Sequence, residues 1–120
     1  MVFGVSPAYF ISRFGDRFQP AQVAGSLGDI KAIGYDAYQL EVYHPETLDA
    51  WVSEGTARVV AAGERAGLVP SQFVAHFLLN GFKSPQSISD DFGLEEMERV
   101  VRMLESAPQC KVITVPLPGF

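Results

Sequence analysis

The sequence has one cysteine, Cys110, and two histidines, His44 and His76, among 120 residues. A single thiol cannot close an internal disulfide, and these three residues lack the spacing of a zinc module, so a disulfide framework and a structural zinc are both excluded. A reducing, cytoplasmic setting is the expectation. Positive charge is also scarce: nine Lys and Arg stand against fourteen Asp and Glu, for a net charge of -5 and a pI near 4.9. That balance repels phosphate backbones and anionic lipid heads, so neither nucleic acid nor a membrane is an expected partner. No run approaches the roughly 18 apolar residues of a membrane span. Residues 1–7 lack a basic lead and contain Pro7, unlike a signal peptide. Glycine-rich phosphate loops are missing too, since Gly25, Gly28 and Gly34 fall within or at the end of a helical pattern.

What is present is ordinary globular composition, 48% hydrophobic and 19% charged, sized for one unit spanning 1–120. Short β-rich runs alternate with longer stretches of helical spacing, the rhythm of βα units around a parallel sheet. Strands are predicted at residues 3–8, 37–43, 69–77 and 112–117. A loop is predicted at 12–19 and a longer one at 78–88. Pro20 opens the first predicted helix, with Val23, Leu27, Ile30 and Ile33 as its apolar stripe and Gly34 as its stop. His44-Pro45 opens the second, with Leu48, Trp51, Val52, Val59 and Ala62 on one face and Gly67 at its end. The third carries Leu94, Met97, Val101 and Leu104 and stops before Pro108. Successive strands start about 34 to 40 residues apart, close to one βαβ crossover each.

Side chains alternate along a strand, and the alternation separates two architectures. An open doubly wound sheet of flavodoxin type has helices on both faces, and its inner strands are near-continuously apolar. Here Tyr38, Leu40 and Val42 form one apolar set, whereas Gln39 and Glu41 lie on the other side of the same strand. Phe73, Ala75 and Phe77 likewise oppose Gln72 and His76, and Phe3, Val5 and Pro7 oppose Gly4, Ser6 and Ala8. One greasy face and one polar face suit a (β/α)₈ barrel, whose active site lies at the C-terminal strand ends. The expected fold is therefore α/β, the first four strands and three helices of such a barrel, with a flavodoxin-like open sheet as the alternative.

Glu41 and His76 fall at those predicted strand ends and are the candidate catalytic pair. A carboxylate there can act as base, bind a substrate hydroxyl or pair with a cation, and an imidazole can shuttle a proton, bind a metal or contact a sugar oxygen. His44, directly before Pro45, is expected to cap the second helix. Tyr9, Phe10 and Tyr43 are candidate substrate-binding residues, because aromatics in the loops after the first strands can wall a pocket and stack on a sugar ring; Phe14, Phe18, Phe77 and Phe82 belong to the same group. Trp51 reads as core. Asp90, Asp91, Glu95, Glu96 and Glu98 read as the solvated, acidic start of the third helix.

The run Ile33-Gly34-Tyr35-Asp36-Ala37-Tyr38-Gln39-Leu40-Glu41 resembles the segment leading through the second strand of the xylose isomerase-like TIM barrels, the superfamily of sugar isomerases and epimerases. Gln72-Phe73-Val74-Ala75-His76-Phe77 is similar to that superfamily's third strand, which ends on a His or another polar residue. The resemblance implies metal-assisted proton transfer next to a carbonyl on a sugar or sugar phosphate, with Glu41 and His76 in the first half of the active site and Tyr9 and Phe10 walling the pocket. It also implies that the divalent metal (Mn, Mg, Zn or Co) is held from the fifth to the eighth strands. The chain then reads as a truncated N-terminal half, with no metal and no activity of its own. Its partner would be the missing C-terminal half or a second copy paired through the exposed sheet edges. A non-catalytic sugar-binding domain is the competing functional expectation.

Overall fold

The structure, a computed structural model, describes residues 1–79, 84–86 and 93–117. Strands β1 (Gly4–Val5), β2 (Ala37–Glu41), β3 (Val69–Val74) and β4 (Ile113–Thr114) form one sheet in the order β1-β2-β3-β4. Every neighbouring pair is parallel. The connections are helical: α1 (Ala8–Phe14) and α2 (Pro20–Ile33) follow β1. A run from 45 to 66 follows β2, comprising a 3₁₀ turn (Pro45–Thr47), α3 (Leu48–Ala50), a π-turn (Trp51–Gly55) and α4 (Thr56–Ala66). After β3 come a 3₁₀ turn at His76–Leu78 and then α5 (Leu94–Met103). No helix among the described residues is long and apolar enough to cross a membrane.

The mixed α/β character and parallel sheet agree with the sequence pattern, but several boundaries do not. Residues 3–8 yield only a two-residue strand, because Pro7 adopts helical angles and starts α1 where the sequence suggested extended chain running into a loop. Phe3, expected on the helix-covered face, is exposed. β2 stops at Glu41 and β3 at Val74, so His76 lies in the turn beyond its strand. The Leu94–Val101 stripe is also corrected. Val100 and Met103 are the buried residues of α5, while Leu94 and Val101 are exposed, since its apolar arc is wider than the surface that covers it. Ile33 likewise emerges into solvent as α2 ends at Gly34, which has φ +110°. Phe82, Asp90 and Asp91 lie outside the described residues.

The core sits between the sheet and α2, α4 and α5. Tyr38, Leu40, Val42 and Phe73 point from the sheet into it and meet Val23, Leu27, Ile30, Trp51 and Val59. Gly63 makes room for the Tyr38 ring, because a Cβ there would lie 2.7 Å from the phenol oxygen and 2.8 Å from the ring edge. Tyr38 is fully buried and donates to the Val59 carbonyl oxygen at 3.4 Å, so it has nowhere to move. Gly63→Ala is expected to destabilise by about 2 kcal/mol, read as a lower urea midpoint with the slope unchanged.

Candidate functional site

The C-terminal ends of β2 and β3 are locked together by backbone bonds from Val42 N–H to the Val74 carbonyl (3.3 Å) and from Phe77 N–H to the Val42 carbonyl (3.1 Å). That register sets the last side chain of β2 beside the first of the following 3₁₀ turn. Glu41 Oε1 lies 3.1 Å from His76 Nδ1. Glu41 is buried, and His76 is partly exposed. Burial pushes the Glu41 carboxyl up to about 7. It also pushes His76 below the ordinary imidazole value, an effect to which the charge of His44 adds. Both shifts disfavour charge, so the pair favours a carboxylic acid facing a neutral imidazole in the range between the lowered His76 value and the raised Glu41 one, with Glu41 then donating to Nδ1.

Tyr43 stacks on His76 with ring centroids 3.9 Å apart and planes inclined by 18°. The His44 ring centroid lies 5.5 Å from that of Tyr43, with the planes tilted by 54°. His44 is the residue before the 3₁₀ turn, but its side chain makes no cap; its Nε2 is 2.8 Å from Asp16 Oδ2 instead. The expected capping role is thus replaced by a close side-chain contact to the loop between α1 and α2. Arg17 pairs with Glu46 at 2.6 Å, joining the same two segments a second time. His44 holds the Asp16 carboxyl below its ordinary value, and Glu46 is lowered by its own backbone N–H and then by Arg17. Farther down the sheet, Gln39 and Gln72 are register partners, and the Thr114 hydroxyl donates to Gln72 Oε1 at 3.3 Å, so this face stays polar.

Of the sequence candidates, the structure therefore brings Glu41, His76 and Tyr43 together. It places the other two elsewhere. Phe10 is fully buried, 5.7 Å from Phe18, because α1 turns it inward; it belongs to the core rather than to a pocket wall. Tyr9 is half-buried, edge-on to Phe10 and bonded through its hydroxyl to Arg13. Phe18 and Phe77 are buried as well, Phe18 against Trp51. Asp16 and Arg17 were missed: nothing in their spacing distinguishes them from other loop charges. Among the described residues, no group of three or more His, Cys, Asp or Glu is gathered to hold a metal ion. Compared with known proteins, the chain matches no family model, no curated protein and no solved structure.

The raised Glu41 value sets a pH dependence. In the folded chain the carboxyl keeps its proton up to about 7, whereas the unfolded chain releases it near 4.3. Its contribution to stability is fully present below the unfolded value and is lost as pH rises through the folded one. Glu41→Gln removes that loss. The variant is expected to gain about 1–2 kcal/mol on the parent between pH 5 and pH 8, measured by urea unfolding across that range.

Proposed function

We propose that the chain forms the first four strands of a (β/α)₈-type barrel and that its C-terminal rim handles a sugar or sugar phosphate in an isomerase or epimerase reaction. Support for the architecture comes from strand order. A doubly wound sheet reverses its order at a switch point, whereas β1 to β4 run consecutively. Right-handed crossovers in one direction put the connecting helices on one face, leaving Gln39, Gln72 and Thr114 on the other.

The observation that carries the chemistry is the Glu41–His76 contact. With Nδ1 engaged by Glu41, His76 offers Nε2 to a substrate. When Nδ1 carries the proton and Glu41 is a carboxylate, Nε2 can take a proton from a substrate O–H or C–H, and the carboxylate stabilises the imidazolium that forms. The reverse transfer returns the proton. A carboxyl near 7 keeps both forms populated at neutral pH. The sugar isomerases and epimerases that the sequence resembles also use a divalent metal to polarise the substrate carbonyl. The described residues gather no group of three or more His, Cys, Asp or Glu that would fit such an ion. Binding without turnover is the behaviour we propose for this chain by itself.

Titration with a panel of neutral and phosphorylated aldoses and ketoses, followed by NMR of the His76 and Tyr43 rings, tests the reading. At least one sugar should shift both rings, and His76→Gln should abolish the response. A panel that moves neither ring overturns it.

A further inference from the structure

Between the loop at 15–19 and the dyad runs a row of side-chain contacts: Asp16 to His44 at 2.8 Å, His44 to Tyr43 at 5.5 Å, Tyr43 to His76 at 3.9 Å and His76 to Glu41 at 3.1 Å. We propose that Asp16 and His44 are positioning residues for His76, acting through Tyr43. This assignment rests on the functional reading above for its purpose, though not for its geometry.

The need for such a row follows from how the described residues hold the imidazole. His76 lies beyond the end of β3, is partly exposed, and among the described residues has one hydrogen-bonding side-chain partner, on Nδ1. One hydrogen bond fixes where that nitrogen sits but leaves the ring free to tilt about it. The plane of the ring, and so the direction of Nε2, is set by the Tyr43 face lying nearly parallel to it. Tyr43 in turn sits just past the end of β2 and is itself only half-buried. What fixes its course is the next residue, whose side chain is tied to Asp16. Asp16 is a firm anchor because its loop is pinned at both ends. Gly15 turns the chain out of α1 at φ +78°, and Phe18 is buried on Phe10 and Trp51 just before Gln19 and Gln22 close the start of α2. The second tie between the segments, Arg17 to Glu46, joins two exposed side chains and bypasses Tyr43, so it adds attachment without orienting the ring.

Ring-current shifts of the His76 imidazole protons report the Tyr43 stack directly. Tyr43→Leu defines the shift without the stack. Asp16→Ala and His44→Gln are each expected to lose most of the parent's upfield displacement while the remaining amide spectrum stays folded. Asp16→Asn, which keeps an oxygen facing His44, should recover at least half, and Arg17→Ala should leave the shift unchanged. An unchanged His76 shift in both Asp16→Ala and His44→Gln overturns the proposal. So does an Arg17→Ala shift equal to that of Asp16→Ala, since general loop attachment would then be responsible. All of these spectra are taken without sugar. A chain that shows this pattern and yet fails the sugar titration would refute the functional reading alone.

Discussion

Gly55→Ala is expected to abolish the cooperative fold, or to lower its stability by about 3 kcal/mol or more. Gly55 closes the π-turn and is buried where the 45–66 run crosses the start of α2. A Cβ there would overlap the backbone carbonyl oxygen of Ala50 and the ring of Pro20, neither of which can rotate away. Pro20 is buried and is the first residue of α2, so retreating would move the N-terminal end of that helix and the Gln19–Gln22 capping box with it. The crowding is steric rather than conformational, because Gly55 has ordinary right-handed helical angles (φ -61°, ψ -47°). Denaturation followed by circular dichroism measures the loss. As a control, Gly28→Ala places a Cβ in open space on α2 and should hold or raise stability.

The second large effect is on assembly. At micromolar concentration the chain is expected to sediment at a weight-average mass of at least twice its own 13.1 kDa. Among the described residues β1 pairs only with β2, and β4 only with β3, which leaves the outer edge of each without a described neighbour. Exposed Phe3 lies beside one edge, and exposed Val112, Ile113 and Val115 lie along the other. Free edges of this kind invite pairing. All four strands run the same way, so the β4 edge of one copy can continue in parallel onto the β1 edge of another, and a two-fold arrangement of two copies closes eight strands. Ile113→Lys should block the β4 edge and return the mass toward that of a single chain. Sedimentation equilibrium on both proteins decides the point: a compact parent monomer would remove the half-barrel reading and favour an open sheet.

The parallel sheet, the long α2 and the helical run after β2 were all legible in the sequence, because burial there follows simple periods. Leu48, Trp51 and Val59 lie where a helical repeat puts them, and Tyr38, Leu40 and Val42 where a strand repeat does. The pairing of Glu41 with His76 was partly legible. Their placement at neighbouring strand ends came from alternation, but the extra turn that carries His76 past β3 did not. α1 was hidden because Ala8–Phe14 mixes polar and aromatic residues without a clear stripe, and only Phe10 in it is buried. The role of His44 was hidden for a different reason. Its partner is 28 positions away in a loop, and side-chain contacts between loops leave no periodic trace in a sequence. The covered side of α5 could not be chosen from spacing alone, since Met97 and Leu104 fit either of two overlapping stripes.

The π-turn bears on where this helix can lose a residue. Wider i→i+5 bonding lets a helix absorb one extra residue without turning the segments on either side of it. Leu48 and Trp51 accordingly reach the same core as Val59 and Val60. The same layer built without the bulge would be one residue shorter between Leu48 and Val59, the residue lost being exposed Ser53 or Glu54. Deleting either residue should be the indel that this helix tolerates best, and it would also relieve the crowding that makes Gly55 irreplaceable. A deletion past the π-turn, at Ala57 or Arg58, has no bulge to absorb it and would swing Val59, Val60 and Gly63 away from the sheet.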